Sequence, residues 1–212
     1  MSQRDSNQQK PDFSFETTHL QVGHLRVAGV DEAGRGPWAG PVVAAAVILD
    51  QHNIPDGLND SKKLTENRRE HLFDQIQASA ETAVGMVEAP EIDQINILQA
   101  TMKAMSLAIA GLPRSPTMAL IDGNRAPVLD CQSQTIKKGD ARSLSIAAAS
   151  IIAKVTRDRL MKQLDRQFPG YGFARHKGYG TAIHASALAN LGPCRQHRKS
   201  FAPIRALLTE SK

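Results

Sequence analysis

Cysteine is almost missing from this chain: Cys131 and Cys194 are the only two in 212 residues. They cannot staple a small secreted scaffold, and their separation has no metal-ligand spacing, so both read as free thiols in a reducing compartment. Aromatic residues are also scarce, with one Trp, two Tyr and six Phe. The core must therefore be aliphatic and rich in alanine. No apolar run approaches the roughly 20 residues of a membrane span. Nor does the sequence as read begin with the basic and then apolar stretch of a secretory signal. These absences lead us to expect a cytoplasmic protein with no membrane association. The formal net charge is +5, which suits a polyanionic partner without specifying one.

What is present divides into three parts. Residues 1–24 are polar, with little apolar periodicity, and read as a tail or an extension laid over the surface. Residues 25–168 hold the strand-like runs and most of the acids. Residues 169–212 are short, basic and rich in turn residues. In the middle part, Leu25–Val30 and Pro41–Leu49 read as strands, joined through Gly34-Arg35-Gly36-Pro37-Trp38-Ala39-Gly40. Thr65–Ala80 reads as a helix with Thr65 as its N-cap. A strand over Thr82–Val87 and a helix over Glu91–Ile109 follow, then strands over Thr117–Ile121 and Val128–Ile136. Leu144–Phe168 is a long helix, and its Ala147-Ala148-Ala149-Ser150 stretch suits close packing on a sheet. A strand meander followed by alternation with helices implies an α/β protein, a mixed sheet flanked by helices.

Asp31-Glu32 directly follows the apolar run Val27–Val30 and directly precedes a Gly-Arg-Gly turn. Neighbouring side chains of a strand point to opposite faces. Both acids could serve one site only if the chain turns at about Glu32, and the glycines permit that. A solvated turn is the plainer explanation of the pair. Asp122 ends the apolar run Thr117–Ile121 and is followed by Gly123, which also fits a simple Asx turn. Asp140, in Lys137-Lys138-Gly139-Asp140, stands just before the long helix, where a macrodipole contact would explain it. Together these acids come from separate segments, each at an element end, where ligands of open α/β sheets gather. Clustered, they would repel one another unless a divalent cation lay among them. A carboxylate set without His or Cys favours Mg²⁺ or Mn²⁺ over zinc. Such ions can hold a phosphodiester and activate water. Nearby cations suited to phosphate are Lys62 and Lys63, Lys154 and Arg157, and Arg175, His176 and Lys177, although each alone fits a solvated surface.

The motifs Val30-Asp-Glu-Ala-Gly-Arg-Gly-Pro-Trp-Ala-Gly-Pro-Val42, Asp60-Ser-Lys-Lys-Leu64 and Ile121-Asp-Gly123 occur in this order. They are followed by Gly139-Asp-Ala-Arg-Ser-Leu-Ser-Ile-Ala-Ala-Ala-Ser150 and His176-Lys-Gly-Tyr-Gly-Thr181. The set closely resembles bacterial ribonuclease HII from about Val27 to Phe201. The resemblance implies a ribonuclease H-like fold over residues 25–168 with a helical C-terminal segment at 169–212 that completes the substrate site. It implies a monomer that cuts the RNA strand of RNA–DNA hybrids. DNA containing ribonucleotides would be nicked too, with Mg²⁺ or Mn²⁺, leaving 5′-phosphate and 3′-hydroxyl ends. Carried over by motif, Asp31, Glu32, Asp122 and Asp140 would be the metal-binding catalytic acids. Gly34, Arg35 and Gly36 would lie against the 2′-hydroxyl, and Lys62, Lys63 and Lys154 would contact the substrate backbone. Tyr179 would stack on the sugar of the following deoxynucleotide. From the residues alone, two other classes stay open: a protein that grips duplexes without cutting, and a carboxylate-dependent resolvase or exonuclease.

Overall fold

The computed structural model describes residues 10–210. The first nine residues of the polar N-terminal stretch lie outside it. Five strands form one sheet: β1 (Val27–Ala33), β2 (Val42–Leu49), β3 (Ala80–Val87), β4 (Met118–Asp122) and β5 (Gln132–Ile136), in the order β3-β2-β1-β4-β5. The first three make an antiparallel meander, whereas β4 and β5 join β1 in parallel. The fold is the expected mixed α/β sheet with helices on its faces.

Strand alternation decides which helix covers which face. Val42, Ala44 and Ala46 of β2 pack under α3 (Ala89–Ala110), while Ala45, Val47 and Leu49 pack under α2 (Glu66–Ser79) and α4 (Leu144–Gln167). Both layers are alanine-rich, as the scarcity of aromatics requires. Helix α4 lies so close to the central strand that a Cβ at Gly29 would collide with the Ser145 backbone. Ala147, Ala148, Ala149 and Ser150 continue this contact, all buried. Thr65 caps α2 as expected, its hydroxyl accepting from Arg68 N at 3.3 Å. Helix α3 is kinked at Asn96, where φ is 66°. The Asn96 carboxamide accepts from Leu98 N and Gln99 N at 3.0 and 3.1 Å, so it restarts the helix as an internal N-cap.

Several elements differ from the sequence reading. β5 begins at Gln132, and Val128 lies outside it, 98% exposed. The polar N-terminal stretch contains a helix, α1 (Ser14–Gln21). Its Glu16 is 1% exposed and accepts hydrogen bonds from Ser143 Oγ at 2.6 Å, Ser145 N at 2.9 Å and the Ser145 hydroxyl. The Asp12 backbone pairs with Arg142 and Leu144 on either side. The segment is thus docked on the start of α4 by the Glu16 carboxyl, with Phe13, Phe15 and Leu20 packed on the core beside it, contacts too sparse to show as apolar periodicity.

The C-terminal part forms α5 (Phe173–His176), α6 (Ala182–Leu191) and α7 (Ala202–Glu210). They close a second small core on Ala39, Met161, Tyr171, Phe173, Leu188 and Ile204. His176, His184 and His197 are buried beside it.

Two stability outcomes follow. Glu16→Ala should lower unfolding stability in urea by about 1–3 kcal/mol, because it strands buried hydroxyl and backbone donors. Burial, followed by the neighbouring His184, pushes the His197 imidazole down to about 4. Between about pH 6.5 and 4 the unfolded chain therefore holds more protons at this site than the folded one. The contribution is complete above 6.5 and is lost as pH falls, by on the order of 3 kcal/mol at most. The slope of stability with pH over that window, by thermal or urea melts, should flatten in His197→Gln.

Candidate active site

The parallel register of β1 and β4 pairs Val30 with Ile121. The next residue on each strand is an acid, so Asp31 and Asp122 stand side by side on adjacent strands, Asp122 as the last residue of β4. β5 pairs with β4 as far as Ile136 opposite Asp122, and the turn after it brings Asp140 back to the same end of the sheet. Gly139 N donates to Asp122 Oδ1 at 2.6 Å and locks that turn onto the β4 end.

The strand does not turn at Glu32. β1 continues to Ala33, paired through Glu32↔Ala44 and Ala33↔Val43. Both acids nevertheless line one cavity of about 280 Å³. The Asp31 carboxyl folds back to accept from Glu32 N at 2.7 Å, and the cavity wraps around the strand end instead of lying on one face. Lys62, from the turn Ser61–Lys63, reaches Asp140 at 3.4 Å. Arg35 reaches Glu32 at 3.3 Å.

The acids strain one another electrostatically. Burial, then Glu32, Asp122 and Asp140, raises the Asp31 carboxyl well above its ordinary range. Burial also raises Glu32, against the pull of Arg35 and with Asp122 adding to it. Asp140 is raised by burial, Asp60 and Asp122, partly offset by Lys62. Burial opposes the Lys62 charge, but Asp140, Asp60 and Asp31 outweigh it and hold the ammonium above its ordinary range.

Among the described residues, no three Asp, Glu, His or Cys side chains are already arranged to hold a metal ion. Arg35 and Lys62 pair with Glu32 and Asp140, and Gly139 N donates to Asp122. The donor set itself fits a hard divalent cation. It offers only carboxylate oxygens, and their mutual repulsion is what a cation relieves. Asp31, Glu32, Asp122 and Asp140 are the residues that would hold it.

The loop after β1 is held from behind by two arginines. Arg157, 1% exposed, donates to the carbonyls of Pro41 (2.9 Å), Lys177 (3.0 Å) and Ala39 (3.2 Å). Arg198, fully buried, donates to Gly34 (2.6 Å), Arg35 (2.9 Å) and Gly40 (2.8 and 3.0 Å). Gly34 has φ +96°, and a Cβ there would run into the Arg157 side chain. The fixed loop presents Gly34, Arg35 and Gly36 to the cavity, opposite the ring of Tyr179, which is 47% exposed.

Of the residues singled out from sequence, the cavity gathers Asp31, Glu32, Gly34, Arg35, Gly36, Lys62, Asp122, Lys154, Arg157 and Tyr179. Asp140 reaches it through Lys62. Lys63 points away and is exposed. Lys154 is tied to Asp158 at 2.8 Å. Arg157 and His176 are not surface cations, since both are buried in structural bonds. Ser61 lines the cavity and Arg198 anchors the loop, and sequence reasoning missed both. Ser61 was hidden inside a motif read for its lysines. Arg198 sits in a polar stretch with no pattern to mark it.

A family model described as Ribonuclease HII matches residues 28–204. A ribonuclease HII of Azorhizobium caulinodans is 59% identical over 194 residues, covering 92% of this chain and 75% of the relative. One from Parvibaculum lavamentivorans is 58% identical over 200 residues, covering 94% and 74%. The crystal structure of ribonuclease H2 from Pyrococcus horikoshii superposes with a TM-score of 0.75 at 27% identity, covering 88% of this chain and 98% of the other. With its acids at the ends of parallel strands and this likeness over nearly its whole length, the chain belongs to the ribonuclease HII family, metal-dependent endonucleases that cleave the RNA strand of RNA–DNA hybrids.

Proposed function

We propose that Asp31, Glu32, Asp122 and Asp140 are the catalytic, metal-binding acids of this ribonuclease. We further propose that it nicks DNA on the 5′ side of embedded ribonucleotides, leaving 5′-phosphate and 3′-hydroxyl ends. The observation that carries the assignment is the β1–β4 register, which makes Asp31 and Asp122 neighbours at the edge of a cavity that a rigid glycine loop also borders. Mg²⁺ or Mn²⁺, when bound, neutralises the acids and supplies positive charge at the scissile phosphate and an activated water.

The chain's own residues do the rest. Lys62 and Lys154 at the cavity, with the exposed Lys63 next to Lys62 on its turn, bind backbone phosphates. The backbone of Gly34, Arg35 and Gly36 lies against the 2′-hydroxyl, the one group that separates RNA from DNA at a given nucleotide. Close approach there needs residues without bulk, and Arg198 keeps the loop from yielding. Tyr179 lies against the next sugar and disfavours a second 2′-hydroxyl by size. A monomer acting in the cytoplasm completes the reading. Among the described residues no helix is long and apolar enough to cross a membrane.

The direct test uses a DNA duplex with one ribonucleotide, beside all-DNA and continuous hybrid duplexes, in Mg²⁺, Mn²⁺ or chelator, with both product ends mapped. Asp122→Asn keeps the oxygen that Gly139 donates to, so the fold should persist while kcat falls by about 10²-fold or more. Its melting temperature without metal should stay level or rise, since one repelling carboxyl is gone. Near-normal cleavage by Asp122→Asn would sink the four-acid site. Binding to inactive duplex analogues should weaken steeply with salt through counterion release. Lys62→Ala and Lys154→Ala should each weaken binding to every duplex by a similar factor and make the salt slope shallower by about one. A loss confined to ribonucleotide-containing duplexes would instead put that lysine at the 2′-hydroxyl.

A further inference from the structure

Tyr179 has an exposed ring on a hydrogen-bonded backbone, so its pose is set by what holds the main chain. Its N–H donates to His176 O at 2.9 Å, and its carbonyl accepts from Thr181 N at 2.9 Å. The same carbonyl lies 3.0 Å from His184 Nδ1. His184 Nε2 lies 3.0 Å from His197 Nε2, and His197 Nδ1 lies 3.0 Å from Cys194 N.

The protons along this chain can be placed by elimination. A backbone N–H can only donate, so the nitrogen facing it must carry a lone pair. Cys194 N–H therefore fixes His197 Nδ1 as acceptor and puts the His197 proton on Nε2. That proton points at His184 Nε2, which must accept, so the His184 proton sits on Nδ1 and is donated to Tyr179 O. Cys194 O is also 3.3 Å from His197 Nδ1, but using it would set a ring N–H against the Cys194 N–H. His176 obeys the same rule separately, accepting from Gly178 N at 3.1 Å and donating to Tyr171 O at 2.8 Å. Burial lowers both His184 and His197, which keeps the rings neutral as the chain requires.

We propose that His197 and His184 are positioning residues for the RNA-to-DNA junction: a relay of fixed tautomers from Cys194 through both rings to the Tyr179 carbonyl sets the pose of the Tyr179 ring. The relay also joins the two sides of the reading site. His197 pairs with Ala39, and its neighbour Arg198 holds the Gly34–Gly40 loop. The inference rests on Tyr179 lying against the sugar that follows the ribonucleotide.

The test compares kcat and KM on a single-ribonucleotide duplex and on a continuous hybrid. Tyr179→Ala should lower kcat on the single-ribonucleotide duplex more than on the hybrid. His197→Leu removes the donor to His184 and should move the ratio of the two kcat values the same way, by about tenfold, with KM little changed. His197→Gln, whose amide nitrogen can take the place of Nε2–H, should restore most of it. Nitrogen-15 shifts of the unsubstituted protein should show protons on Nδ1 of His184 and Nε2 of His197. If Tyr179→Ala leaves the ratio unchanged, the reading of Tyr179 fails and the relay with it. If Tyr179→Ala moves the ratio but His197→Leu lowers both substrates equally, the relay alone is wrong. A His184 proton on Nε2, or a His197 proton on Nδ1, overturns it however the variants fold.

Discussion

Two guanidinium groups buried under the loop after β1 are the constraint on which the rest of the site depends. Leaving a charge of this kind buried and unsatisfied costs several kcal/mol. Here the donors of Arg157 and Arg198 end on backbone carbonyls that no strand ladder serves: Gly34, Arg35, Ala39, Gly40, Pro41 and Lys177. The need is mutual, because a buried carbonyl without a donor is also costly. Burial pushes the two arginines down to about 10 and about 9, still charged at neutral pH. The guanidinium spreads five donors across a rigid plane, a reach that the compact lysine ammonium does not match, so lysine would not substitute. The loop is thereby held in place without being part of the sheet, which suits the proposed contact with a single 2′-hydroxyl.

The acids pose the opposite problem. They are held near one another by strand register and by Gly139, and without a cation they are stabilised by Lys62 and Arg35. Both cations are flexible and mostly exposed, with side-chain exposures of 78% and 51%. Such partners hold the fold together yet can be displaced at little cost. On the proposed reading, the site is thus held firmly where it would contact the substrate and loosely where it would accept an ion.

The parts legible in the sequence are those with local or periodic signals. Apolar runs ending in acids marked β1 and β4, the alanine stretch marked α4, and the Thr65 cap marked α2. The ordered motifs supplied the family. The parts that were not legible depend on contacts between distant segments. Glu16 meets Ser143 and Ser145 across more than half the chain, and nothing in residues 10–24 patterns as a packed helix. Arg157 and His176 looked like surface cations because burial of a polar group depends on partners supplied elsewhere. The shared use of Asp31 and Glu32 was expected to need a turn, whereas side-chain folding and a cavity at the strand end achieve it inside a continuous strand.

The origin of Arg198 near the end of the chain bears on synthesis. All four acids have been made once residue 140 has been added. The carbonyls of Gly34, Arg35 and Gly40 still lack their donors then, because the side chain that fixes them is 58 residues further on, counting from 140 to 198. A chain that ends between these points holds all four acids and lacks the anchor of the loop. On the proposed reading, the late position of that anchor would tie the choice of cutting site to chains that extend past Arg198.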